Sequence, residues 1–225
     1  VNQSPSPHQN SNDPIISKEP RWPASIALLV AIALYVVLPQ TLIYGPRYLI
    51  PALEIVLIVP LTIFNPFREH HETKALRYLA ISLIALVNFA NITSVILLVQ
   101  RLLDASKISG RSLVYSAVAI WLTNAIVFGL WFWELDRGGP AKRAVHHEAV
   151  PDFLFPQMTD PQFAKPNWRP TLIDYVYVAF TNATAFSPTD TMPLTSFAKM
   201  LMTGESIVSM ITVIVVAARA INILP

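Results

Sequence analysis

The residues of this chain that could do chemistry fall in two places. Between Thr181 and Pro193 a short stretch collects the hydroxyls of Thr181, Thr184, Ser187, Thr189 and Thr191, the amide of Asn182 and the carboxylate of Asp190. These are hard oxygen donors, the groups that replace or attract the water shell of a cation. The same stretch also has strong turn chemistry, because Ser187-Pro188-Thr189-Asp190 suits a tight turn. Thr189 or Asp190 suits the cap of a following helix. A cation-handling loop and a purely structural turn pinned by Asp190 are both open at this point. The second place is Glu205, following Gly204 and flanked by Ser206 and Ser209, about ten residues into the apolar run from Thr195 to Leu224. A carboxylate at that depth in a membrane is costly unless protonated, paired or wet. Asn88, Asn91 and Asn124, in other apolar runs, are its candidate partners, and Glu54 poses the same problem in a shorter run. Nothing resembles a nucleophile–base pair, a phosphate loop or a metal cluster. The adjacent pairs His70-His71 and His146-His147 cannot each share one helix face and read as solvated loops. The expectation is no enzyme, no cofactor and no metal.

The elements that must position these groups are apolar. The 225 residues are 53% hydrophobic and only 13% charged, with mean hydropathy +0.48, against about 25% charged in soluble domains. A net charge of +2 gives no reason to expect a nucleic-acid partner. The absence of cysteine excludes disulfides and thiolate sites. The patterning predicts an all-α membrane protein of about five transmembrane helices, with a re-entrant half-helix and loop before the last one. Residues 1–22 read as a disordered polar tail. Residues 23–135 read as a four-helix transmembrane region. Its spans run from Ala24 to Tyr44 with a kink at Pro39, Tyr48 to Phe64, Tyr78 to Val99, and Ser112 to Trp133. Asn88 and Asn91 share a helical face and are expected to hydrogen-bond between helices. Glu134, Asp136 and Arg137 are expected to mark emergence into water. Residues 136–170 form a polar, proline-rich connector whose Phe153-Leu154-Phe155 lies on the membrane surface or packs over the C-terminal module. That module, residues 171–225, comprises a half helix, a loop and a final span, with Arg219 snorkelling near its end. The short loops that alternate along the chain carry basic residues nearly equally, so the positive-inside rule leaves orientation open.

The stretch from Asn182 to Thr195, N-A-T-A-F-S-P-T-D-T-M-P-L-T, resembles the pore region of potassium channels and two-span ion channels, T-A-T-T-V-G-Y-G-D-x-x-P-x-T. Ala183, Thr184, Asp190, Pro193 and Thr195 match, and Lys199 stands where a basic residue often follows. The filter core departs, with Ala185-Phe186-Ser187-Pro188-Thr189 in place of TVGYG. In those channels stacked backbone carbonyls coordinate the ion. Ser187 and Thr189 take the glycine positions here and Pro188 fixes φ between them, so that carbonyl ring is not expected. The phrases WELDRGGP (Trp133–Pro140) and TNATAFSPTDTMPLT (Thr181–Thr195) also resemble those of a family of bacterial inner-membrane proteins of unknown function. The resemblance implies a multi-pass protein of the bacterial inner membrane that is ion-channel-like. It would be a homo-oligomer, tetramer favoured, with its N-terminus outside and the connector as a turret above the pore. Its loop residues Thr181, Asn182, Thr184, Ser187, Pro188, Thr189 and Asp190 would then lie near a path for monovalent cations. A small transporter or an accessory subunit with a non-conducting loop is the alternative, built around Glu54 and Glu205.

Overall fold

The computed structural model describes residues 19–63, 67–68, 73–103, 109–145, 149–160, 162, 164–166, 168–185 and 190–221. These residues form an all-α protein with eight α-helices and two minimal antiparallel strand pairs. Helix α1 (Trp22–Val37) carries a proline in its first turn, where no backbone donor is lost. It stops at Val37 because Leu38 precedes Pro39 and is forced into extended backbone, φ −61° and ψ 144°. The expected kinked span to Tyr44 is therefore corrected to a helix of 16 residues followed by a 3-10 turn, Gln40–Leu42. Gly45, at φ 79°, turns the chain, and Arg47 Nη2 closes the turn on Leu38 O at 3.1 Å. Helix α2 (Leu49–Ile63) then runs back beside α1, with Ser25 and Thr62 hydroxyls 2.9 Å apart.

Among the described residues three helices are long and apolar enough to cross a membrane: α3 (Lys74–Leu103), α4 (Gly110–Leu135) and α8 (Ser196–Ile221). At 1.5 Å per residue they are roughly 39–45 Å long, more than the hydrocarbon thickness of about 30 Å. This is the build of a multi-pass membrane protein. Helices α1 and α2, at 16 and 15 residues, fall short of that length. So three helices, not five, meet it. Between α4 and α8 stand α5 (Pro140–Val145), α6 (Pro156–Thr159) and the 14-residue α7 (Leu172–Ala185).

Helix α4 is the hub, packed on α1, α3, α7 and α8. It buries residues on every side, from Leu113 and Ile120 to Val127, Phe132 and Trp133, as a helix apolar all round must. One end of the bundle is marked by Asp136, just past the end of α4. There α3 begins, with Arg77 Nη1 bonded to Gly138 O. There α7 begins, with the Tyr175 hydroxyl on Asp136. There α8 begins too, with Thr195 Oγ1 on Asp152 Oδ1 at 2.6 Å. Helix α7 descends α4 from that end: Val176 lies against Gly129, and the Phe180 ring is 5.4 Å from Trp121. It stops at Ala185, about half the length of α4. By Met192–Pro193 the chain is back at the Asp136 end, pairing as strand β4 with β3 (Phe153–Leu154). Of the two expectations for the connector, the structure shows packing. Phe153 and Phe155 are buried, in ring contact with Tyr175 and with Phe132 and Trp168 respectively.

The α4–α7 contact depends on Gly129 having no side chain, since a Cβ there would sit 2.8 Å from Val176 Cα and 2.7 Å from its Cγ2. Gly129→Ala should cost about 1–3 kcal/mol and lower the melting temperature of the detergent-held protein by several degrees. Gly204→Ala should not, because its Cβ meets only Phe128 at 3.9 Å and alanine favours a helix. Thermal melts of both variants check this.

Candidate functional site

The half-depth tip of α7 carries the first polar constellation. Asn182 is buried, and its Nδ2 donates to Met202 O at 2.9 Å and to Glu205 Oε2 at 2.8 Å. From the other side, Asn124 Nδ2 of α4 donates to Glu205 O at 3.2 Å and to Ser209 Oγ at 3.0 Å. Two amides thus clasp successive turns of α8 around Glu205, which is 0% exposed. On sequence grounds Asn124 is a candidate partner of Glu205. The structure gives Asn124 the backbone carbonyl and hands the carboxylate to Asn182, a residue expected in the loop. The chain's own α4, α7 and α8 enclose Glu205. The missed signal was Asn182 itself, an amide set in the apolar run of the half helix.

Thr181 and Thr184 belong to α7 rather than to a loop, so the half helix runs one turn further than the apolar pattern suggests. Their hydroxyls donate back along the helix, Thr181 to Tyr177 O and Val178 O at 3.0 Å, Thr184 to Phe180 O at 2.7 Å. That leaves acceptor lone pairs outward on half-buried Thr181 and exposed Thr184. Asp190 is exposed and Thr191 buried. Ser187, Pro188 and Thr189 lie outside the described residues, as do the two histidine pairs. Glu54 is 2% exposed, within α2. Asn91 is buried and Asn88 half-buried. Asn88 Oδ1 and Asn91 Nδ2 have no hydrogen-bond partner among the described residues. Arg219 stands in the last turn of α8.

The second constellation was not anticipated. Glu134 and Asp136, expected to emerge into water, are fully buried. Asp136 Oδ1 accepts from Asp152 N at 2.8 Å. Its Oδ2 accepts from Tyr175 Oη at 2.5 Å and Arg137 Nε at 3.3 Å. Arg143 Nη1 donates to Trp133 O at 2.5 Å and Asp136 O at 3.2 Å, satisfying carbonyls at the end of α4. Its guanidinium lies 5.2 Å from the Tyr175 ring centroid. Asp152 Oδ2 accepts from Arg137 N at 2.8 Å while Oδ1 holds Thr195. Arg137, Gly138 and Gly139 turn the chain with φ of 51°, 77° and 100°. At Gly139 a Cβ would meet Glu134 O at 2.8 Å. The phrase WELDRGGP thus builds a socket that receives the connector at Asp152 and the half helix at Tyr175. Among the described residues no group of three or more His, Asp or Glu is placed to hold a metal ion. The arrangement offers buried acceptor oxygens and backbone positioning.

No protein-family model, no curated protein and no solved structure matches this chain. The resemblance to channel pore regions and to the inner-membrane family stands on the quoted residues alone.

The clasp on Glu205 makes a coupling prediction. Asn182→Leu strands a buried carboxylate oxygen and should cost about 1–3 kcal/mol, whereas replacing both partners by apolar groups is nearly neutral. Asn182→Leu with Glu205→Met should therefore melt close to the native chain and well above Asn182→Leu. A double-mutant cycle on melting temperature measures it. A loss in the double variant equal to the sum of the two single losses would mean the pair is not coupled.

Proposed function

We propose that this chain is the subunit of an ion-channel-like assembly in a bacterial inner membrane, with copies arranged about a common axis and α7 with its return as the re-entrant element. The observation that carries the reading is the path of the chain. Helix α7 enters from the Asp136 end, stops at half depth, returns to that end by Met192, and is followed by the full-length α8. Non-helical backbone at membrane depth is tolerated only where protein or water covers it. The outward faces of α7 (Ile173, Tyr177, Phe180) and α8 (Met200, Ile207, Met210) are exposed in the single chain, leaving room for another copy there. Four copies, the number the resemblance favours, would surround a path for monovalent cations. It would be lined by the outward oxygens of Thr181 and Thr184 together with Ser187, Thr189 and a ring of Asp190 that attracts cations. Pro188 between Ser187 and Thr189 argues against a potassium-type carbonyl filter. In this reading α1 with its 3-10 turn and α2 complete five crossings. The N-terminal segment and the loop entrance share one end, the outside of a channel-like orientation.

A second reading, a small transporter or accessory subunit, is favoured by one observation: Glu54 and Glu205 are buried inside a single chain rather than on its outward faces. Native mass spectrometry of the protein in lipid nanodiscs separates the two. The channel-like reading expects a tetramer, and in liposomes a monovalent-cation flux that Asp190→Asn lowers severalfold. A monomer without flux overturns it and leaves the second reading.

A further inference from the structure

Six polar atoms in the middle of the bundle are buried without a hydrogen-bond partner among the described residues: Glu54 Oε2, Asn88 Oδ1, Asn91 Nδ2, Asn124 Oδ1, Glu205 Oε1 and, about one turn from Asn124, the donor Trp121 Nε1. They lie on α2, α3, α4 and α8, yet they share a depth. Leu28, Leu61, Ile84 and Leu130 line one cavity near the Asp136 end and so give a common starting level on α1 to α4. From there Glu54 is seven residues along α2, Asn91 seven along α3 and Asn124 six along α4, all away from that end. At 1.5 Å per residue each is displaced by about 9–10 Å. Asn88 is one turn from Asn91, and Glu205 is tied to that level by its carbonyl bond to Asn124. On α1, Tyr35 is seven residues beyond Leu28, within electrostatic reach of Glu54.

Four of the six orphan atoms are oxygen acceptors, and two belong to carboxylates. Among the described residues, none brings a counter-charge to this depth. No Lys, Arg or His occurs in 22–46, 48–67, 78–100, 112–136, 170–198 or 200–218. Arg47, seven residues from Glu54, is bonded to Leu38 O at the end of the bundle. The titratable groups that α1, α2 and α8 bring to this depth are Tyr35, Glu54 and Glu205; α3, α4 and α7 bring amides and hydroxyls. Buried carboxylates persist only when protonated or paired, and unmet acceptor oxygens at this density ask for a donor or a cation.

We propose that this mid-depth layer of Glu54, Asn88, Asn91, Asn124 and Glu205 is a binding layer inside each chain for a small monovalent cation, sodium or a proton. Hard carboxylate and amide oxygens are the ligands such ions take, and Asn182 and Asn124 hold Glu205 with one oxygen still available. The layer rests on the membrane-bundle architecture and not on the channel-like assembly, so its failure and that of the proposed oligomer are read by different measurements.

The test is thermal melting of the full chain in detergent or nanodiscs, in sodium, lithium, potassium and choline chloride at equal ionic strength, at pH 5 and pH 8. If sodium is bound, sodium raises the melting temperature over choline by at least about 3 °C. The rise is larger at pH 8, where protons compete less, and Glu54→Gln and Glu205→Gln each reduce it. If the proton is bound, the four salts coincide, the native chain melts higher at pH 5 than at pH 8, and the two Gln variants flatten that difference. Coincident salts with no pH difference that the Gln variants remove would overturn the proposal and leave a layer of buried water. Should Glu205→Gln fail to fold, Glu54→Gln and the salt series on the native chain still decide.

Discussion

A carboxylate with no solvent contact, at the end of the most buried helix, sets the arrangement of the rest of the chain beyond it. Asp136 caps α4, and its two oxygens take the connector's Asp152 amide, the half helix's Tyr175 hydroxyl and the neighbouring Arg137. Burying an ionised group is costly unless it is hydrogen-bonded and paired, and here three donors meet that need. The three donors come from three different parts of the chain. That makes the carboxylate a point where long-range geometry is fixed: the connector, the half helix and α4 can satisfy it only in one mutual placement. Arg143 completes the junction by taking the carbonyls that the end of α4 leaves open.

The half helix is held at its other end by a different kind of contact. Asn182 and Asn124 bind α8 through its backbone carbonyls as well as its side chains. This matters because hydrogen bonds between helices in apolar surroundings are worth only about 0.6–2 kcal/mol each. Several that converge on two turns of α8 set the register of α7 against it where apolar packing alone would allow sliding. Gly129 lets α7 approach α4 to backbone contact, so α7 is fixed by close packing along its length and by polar contacts at both ends. A 14-residue helix with one outward face bare needs all three.

The long helices were legible in the sequence, because α3, α4 and α8 are apolar runs whose length is set by the bilayer. The ends of elements were less so. Pro39 ends α1 where a kink was expected, since the residue before a proline favours extended backbone and no neighbouring helix carries the turn onward. Thr181 and Thr184 read as loop because hydroxyl residues signal turns. Inside a helix they bond back to the preceding turn and continue it. Glu134 and Asp136 misled for a deeper reason. A charge after an apolar run ordinarily marks water, and only partners 16 and 39 residues away make the interior habitable for Asp136. Glu205 was legible as a problem and not as a solution: its depth came from counting, while its partner 23 residues earlier depended on α7 turning back beside α8.

The chain keeps two sets of oxygen donors apart. Thr181, Thr184 and Asp190 are on the outside of α7 and its return, where their surroundings depend on what lies against the chain. Glu54, Asn91, Asn124 and Glu205 are enclosed by its own helices. Asn182 stands between them, on the half helix but turned inward to Glu205. A displacement of the α7 tip would therefore change both sets at once, loosening the hold on the buried carboxylate as it moved the outward hydroxyls. The physical coupling between the inner layer and the outer face is thus a single amide, Asn182, on a helix packed closely along α4.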